Sequence, residues 1–133
     1  MRTFGSHLKK INNLGDKVIM TGCVDEQDKP AIYRLASVFI YPSHYEGWGM
    51  QPVEAMACGV PVIASDKSSL QEVVGKAAKI VNPDIPVDIT KALTQVLTSS
   101  KERTKMVRAG LAQAKKFSWE KSASRLVKLL RGL

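Results

Sequence analysis

The sequence has little of what a metal centre or a disulfide framework requires. Its 133 residues include two cysteines, Cys23 and Cys58, and two histidines, His7 and His44. Both cysteines fall in apolar surroundings without metal-ligand spacing, so buried free thiols are expected rather than a disulfide or a metal pair. Two histidines are too few for a metal site. Aromatic residues make up 6% of the chain, and no stacking-aromatic motif accompanies the basic residues, which speaks against nucleic acid as a partner. No apolar run approaches the roughly 20 residues of a membrane span. The first ten residues lack the continuous apolar stretch of a signal peptide, so the expected location is the cytoplasm.

What is present is the composition of a soluble globular domain, 44% apolar and 24% charged. The net charge of +8 favours anionic partners in general. The excess is concentrated late in the chain, from Lys101, Arg103, Lys105, Arg108, Lys115 and Lys116 to Lys121, Arg125, Lys128 and Arg131. These alternate with an apolar helical stripe, and a solvated helix face is the plain reading of them.

Four short runs rich in Val and Ile predict buried strands: Lys17–Thr21, Ser37–Tyr41, Pro61–Ala64 and Lys79–Val81. None alternates apolar with polar, so a parallel sheet covered on both faces is expected. Helical segments lie between them. Asp28–Ala36 carries Ile32 and Leu35, with Pro30 early; Pro52 opens a helix over Val53–Cys58 that Gly59 closes; Ser68 or Ser69 caps Leu70–Val74. The last third is wholly helical. Ile89, Ala92, Leu93, Val96 and Leu97 mark one apolar face. A capping box at Ser99–Glu102 starts a second helix, with Met106, Val107, Leu111 and Ala114 inward. Ser118 caps a third, whose buried stripe is Trp119, Ala123, Leu126, Val127 and Leu130. The fold class is α/β, a Rossmann-like parallel sheet with flanking helices. Residues 1–133 form a single partial domain, with an α/β core over about 17–82 and C-terminal helices over about 86–131.

The loop after Tyr41 carries the chemistry. It holds Pro42, Gly47, Gly49 and Glu46, then enters a helix bearing Glu54. In open α/β sheets ligands bind beyond the carboxyl ends of the strands, where such loops lie. Glycines admit close backbone approach, and free N–H groups around Gly49, Met50 and Gln51 suit an anion such as a diphosphate. Glu46 and Glu54 repel phosphate and instead suit hydroxyl groups, as charge-assisted acceptors.

From Val18 to Gly75 the residues resemble the C-terminal, donor-binding domain of GT-B-fold retaining glycosyltransferases, in the large glycosyltransferase family four. The matching segments are Thr21-Gly-Cys-Val24, Ala36-Ser-Val-Phe-Ile-Tyr-Pro-Ser43, the run from Glu46-Gly-Trp-Gly to Glu54-Ala-Met-Ala-Cys-Gly-Val-Pro-Val-Ile-Ala-Ser65, and Glu72-Val-Val74. Phe117-Ser-Trp119 resembles the family's entry to its closing helix. The resemblance implies transfer of a hexosyl group from a nucleotide diphosphate sugar, with no cofactor and no metal. It implies that Glu46, the catalytic candidate, contacts hydroxyls of the transferred sugar, with Gly47, Trp48, Gly49 and Met50 around the sugar and distal phosphate. Glu54 then holds the ribose, and Cys23 and Val24 lie against the base. Basic side chains and backbone amides stabilise the leaving diphosphate. Retention is ascribed to front-face attack, so no nucleophilic side chain is expected.

Simpler readings stand beside these. Glu46 could be a solvated loop acid, and Glu54 could merely favour a helix dipole. Trp48 suits loop packing as well as ligand contact. His44 reads as a loop histidine, Tyr45 and Cys58 as packing residues, and Ser65–Ser69 as a second stretch that could line the cleft. Family members also carry an acceptor domain and two earlier strands, with a glycine turn and an Arg/Lys pair. Lys9, Lys10 and Lys17 do not match that pair, and the chain reads as beginning in the helix before its first strand. In the family's sheet order 3-2-1-4-5-6 the strand near Val18 would then lack a native neighbour. The expectation is a part of a longer enzyme, inactive alone, whose sugar or lipid acceptor binds the other domain, with peripheral association to the inner membrane face. The alternative is a non-catalytic nucleotide-binding or assembly module that pairs with a separate acceptor-domain chain.

Overall fold

The computed structural model describes residues 15–132. The expected N-terminal helix, with His7, Lys9 and Lys10, lies outside the described residues.

Among the described residues three parallel strands form the sheet: β1 (Phe39–Tyr41), β2 (Val62–Ser65) and β3 (Lys79–Val81), in the order β1-β2-β3. The register pairs Ile40 with Ile63 and Ala64 with Ile80. Every residue of β2 is buried, because its alternate side chains face two different apolar clusters. Val62 and Ala64 pack with Ala55, Met56 and Val74 on one side. Ile63 packs with Val81, Ala92, Val96 and Met106 on the other. This is the doubly covered parallel sheet that unalternating Val/Ile runs specify.

Among the described residues there are six α-helices: α1 (Lys29–Leu35), α2 (Met50–Ala57), α3 (Leu70–Val74), α4 (Pro86–Thr98), α5 (Ser100–Ala114) and α6 (Trp119–Arg131). The C-terminal third is helical as expected. Ser99 Oγ accepts from the Glu102 amide at 3.2 Å, which is half of the capping box. The other half is not made, since the Glu102 carboxylate turns to Lys79 Nζ at 3.4 Å. Arg103 leaves the solvated face and donates to the carbonyls of Val96 (3.0 Å) and Leu97 (2.6 Å), closing the C-terminal end of α4.

Several expectations are corrected. Lys17–Thr21 is no strand; a 3-10 turn over Gly15–Lys17 leads into irregular chain, with Ile19 83% exposed. A strand is completed by a hydrogen-bonding neighbour, and none is offered to this segment among the described residues. For the same reason Cys23 is exposed rather than buried, while Cys58 is half-buried; both are free thiols. In α1, Ile32 and Leu35 face solvent and Tyr33 faces inward, because the Tyr33 ring packs edge-on against Phe39. In α4, Leu97 is exposed, while Ala92 and Val96 are buried as read.

Of the inner face expected for α5, Met106 is buried and Ala114 packs half-buried against the core, and Gly110 and Gln113 are buried beside them. Leu111 is exposed. The small Gly110 admits Met56 of α2, whose Cγ would lie 3.2 Å from a Cβ there. Gln113 is buried because its amide satisfies the carbonyl of Val73 at 2.8 Å. The stripe of α6 is exposed throughout, Trp119 at 78% and Leu130 at 63%. Amphipathic spacing buries a face only where a complementary surface exists, and the described residues supply none. No described helix is long and apolar enough to cross a membrane.

Candidate functional site

The carboxyl end of β1 delivers the chain into the loop from Pro42 to Gly49, which ends at the N-terminus of α2. The helix begins at Met50, two residues before Pro52, so Glu54 stands in its second turn rather than its first. That position weakens the helix-dipole reading of Glu54, since the effect fades beyond the first turn. Gly49 is the N-cap, with φ +88, and it offers no side chain to cap the helix. Its shape has a second cause: a Cβ at this position would come 2.5 Å from Cδ2 of buried Leu70. Only glycine combines that backbone with that contact. The N–H groups of Gly47, Trp48 and Gly49 make no hydrogen bond among the described residues. They lie where the α2 dipole favours negative charge.

Ser68 and Ser69 hold the loop from the next strand end. Ser68 Oγ donates to the Glu46 carbonyl at 2.6 Å and accepts from the Glu46 amide at 3.2 Å. Ser69 Oγ donates to the carbonyls of Trp48 (3.0 Å) and Glu46 (3.2 Å). The expectation that one of them caps α3 by its side chain is therefore not met; both hydroxyls are spent on the loop. Ser68 reaches its position with φ +56, strain that its two bonds to Glu46 offset. The nearby Ser65 is fully buried and accepts from the Lys67 amide at 3.0 Å, so its hydroxyl fixes the turn after β2.

Each carboxylate has a phenol partner. Tyr41 donates to Glu46 Oε1 at 2.7 Å, and Tyr33 donates to Glu54 Oε2 at 2.9 Å. The Tyr41 phenol, and then the Ser43 hydroxyl, hold the Glu46 carboxyl below its ordinary pKa. Burial, and then the bond to Glu46, push Tyr41 up to about 12. Tyr33 is raised further, by burial and then by Glu54. Spacing did not reveal these pairs, because a tyrosine in an apolar run reads as packing.

Trp48 packs edge-on against Phe117, ring centroids 5.0 Å apart, and keeps part of its surface exposed. Loop packing thus accounts for its ring. Beside it lies a cleft of about 590 Å³ whose walls include Met50, Glu54, Trp119 and Arg125. Arg125 brings a cation to the cleft that Glu54 also lines, a placement hidden in the sequence within a row of solvated cations. Two larger grooves, about 680 and 700 Å³, run along the outer face of α5 beside Arg108 and contain none of the expected site residues. The cleft beside Trp48 is lined by Glu54 and by the aromatic rings of Trp48, Phe117 and Trp119, and Glu46 stands on the loop that leads into it.

His44 is exposed, with Nδ1 3.6 Å from Asp84, and Lys67 reaches the same carboxylate at 3.7 Å. Cys23 and Val24 lie on the irregular segment before α1, exposed and half-buried respectively. No hydrogen bond joins them to the loop among the described residues. No group of three or more His, Cys, Asp or Glu is placed to hold a metal ion among the described residues.

Residues 6–113 match the family model described as glycosyl transferases group 1. The chain is 42% identical over 106 residues to an O-antigen chain mannosyltransferase B of Escherichia coli, covering 80% of this chain and 28% of that protein. Its fold matches a sucrose-phosphate synthase from Thermosynechococcus elongatus with a TM-score of 0.86 and 32% identity, over 96% of this chain and 33% of that one. It also matches the C-terminal domain of a glycosyl transferase group 1 family protein from Francisella tularensis. There the TM-score is 0.72 and the identity 27%, over 85% of this chain and 61% of that one. The chain spans between 13% and 33% of the length of the curated relatives it matches.

Proposed function

The chain belongs to the group 1 glycosyl transferases, with the fold of a GT-B C-terminal half, and from that premise we propose that it is the donor-binding part of a retaining hexosyltransferase. The donor is a nucleotide diphosphate sugar, and the acceptor is a sugar or lipid held by another domain. Glu46 accepts from hydroxyls of the transferred sugar. Glu54 accepts from the ribose. The amides of Gly47 to Met50, at the uncapped start of α2, receive the diphosphate. Cys23 and Val24 flank the base.

The observation that carries the reading is the arrangement of Glu46 and Glu54 about that helix start. In the chain Glu46 precedes and Glu54 follows N–H groups that make no hydrogen bond among the described residues, and each carboxylate is bonded to a tyrosine through one oxygen, a pattern that suits an anion bearing hydroxyls. Hexosyl transfer is also what the name of the Escherichia coli mannosyltransferase describes.

Calorimetric titration of the chain with UDP-glucose and GDP-mannose, with EDTA present, tests it. Binding of one donor is expected, weakened about tenfold or more by Glu46→Gln and by Glu54→Gln. Affinity unchanged in both variants would overturn the assignment. Abolition of binding by EDTA would overturn its metal-free form.

A further inference from the structure

We propose that Tyr41 and Tyr33 are positioning residues that aim Glu46 and Glu54 at the donor, and that Phe39 sets both phenols from a place between them. This rests on the donor-site reading above and extends it to residues that touch no ligand.

The three rings form one assembly. Phe39 meets Tyr33 edge-on, with centroids 5.4 Å apart and planes at 77°. It stacks on Tyr41 at 5.9 Å, with planes at 17°. Phe39 belongs to β1 and is paired in register with Val62 of the fully buried central strand. Glu46 stands on an irregular loop and Glu54 on a helix, yet both carboxylates are referred to the sheet through this ring. The loop acid is otherwise held by the Ser43 hydroxyl at its carboxyl and, through its backbone, by Ser68 and Ser69.

The chemistry suits that duty. Both phenols keep their protons throughout the neutral range, so each remains a donor. An ionised carboxylate has about four acceptor sites, and one phenol occupies one of them. The rest stay available to hydroxyls, while rotation of the side chain is restrained. Holding the acceptor in place before the ligand arrives lowers the ordering cost of binding.

Phenylalanine at either tyrosine removes one oxygen and leaves the rings to pack, so Tyr33→Phe isolates the bond to Glu54, and Tyr41→Phe removes the bond to Glu46 together with a longer 3.3 Å contact to Gln51 Oε1. The probes are UDP-glucose and GDP-mannose, the corresponding UDP and GDP, and the 2′-deoxy forms of those diphosphates. Tyr41→Phe is expected to weaken the nucleotide sugar about tenfold and to leave the bare diphosphate unchanged, as Glu46→Gln does. Tyr33→Phe is expected to weaken the ribonucleoside diphosphate and to spare the 2′-deoxy form, as Glu54→Gln does.

Each failure has its own signature. Loss of binding in the glutamine variants with none in the phenylalanine variants overturns the positioning role and leaves the donor site standing. Silence in all four variants overturns the donor site itself. A readout without ligand decides the Tyr41 case even if no donor binds: ¹³C NMR titration of the Glu46 carboxyl. Its titration moves to higher pH in Tyr41→Phe if the phenol holds it, and an unmoved titration overturns the proposal.

Discussion

The side-chain amide of Gln113 donates to the carbonyl of Val73 across 2.8 Å of buried interior, joining α5 to the end of α3. Its oxygen accepts from Lys116 Nζ at 2.7 Å, so both ends of the amide are used. Gly75 follows with φ +54, and its backbone approaches the same amide so closely that a Cβ would lie 3.2 Å from Nε2. Replacing Gln113 by Leu strands the Val73 carbonyl and should cost about 1–3 kcal/mol. Urea denaturation should show the midpoint falling with an unchanged slope.

Gly49→Ala should be the most damaging single-methyl change in the loop. The new Cβ meets buried Leu70 at 2.5 Å, on a backbone with φ +88 that L-residues avoid. The two penalties together should exceed about 2 kcal/mol. Because the residue sits at the N-cap position of α2, donor affinity should fall with stability; thermal melts and donor titration measure the two separately.

Ser68 tests the tie between strand ends. Ser68→Ala removes both side-chain bonds to Glu46 and keeps the unfavourable positive φ. Ser68→Gly removes the same bonds but relieves the backbone. Ser68→Ala should therefore be the less stable of the two, and in both the Glu46 amide should exchange faster with solvent. Equal exchange in the wild type and both variants would show that the tie does not order the loop.

The pH dependence follows from Glu46. Its carboxyl is held below the ordinary carboxylate pKa, first by Tyr41 and then by Ser43. A group whose pKa is lower in the folded state contributes stability above its unfolded pKa and loses it as pH falls through the folded one. The Glu46 contribution to donor affinity should accordingly be flat from neutrality into mild acid and decline only below the usual carboxylate range. A decline beginning near pH 6 would contradict this assignment.

The sheet was readable because β2 and its neighbours are apolar without alternation, which parallel strands covered on both sides require. The same rule failed at Lys17–Thr21 for a physical reason. Apolar composition describes a side chain's preference for cover, whereas a strand also needs a backbone partner, and Ile19 has neither. The stripe of α6 failed in the same way. Glu46 and Glu54 are singled out as candidates by the long matching segment around them. Tyr33, Tyr41 and Arg125 are not, since their contacts span elements and no local period records them. Gln113 escaped notice because a polar side chain enters a core only when a particular carbonyl awaits it.

The cleft beside Trp48 has two unlike walls. Met50 and Glu54 stand on α2, which is clamped between the sheet and α5. Trp119 and Arg125 stand on α6, in which no residue is buried. Local opening free energies track such packing, so amide protection along α6 should resemble that of a tethered peptide, while α2 approaches global protection. A molecule bridging the two walls would then do more than bind: it would quench the motion of α6, and the gain in protection along that helix would register occupancy at a distance from the contact itself.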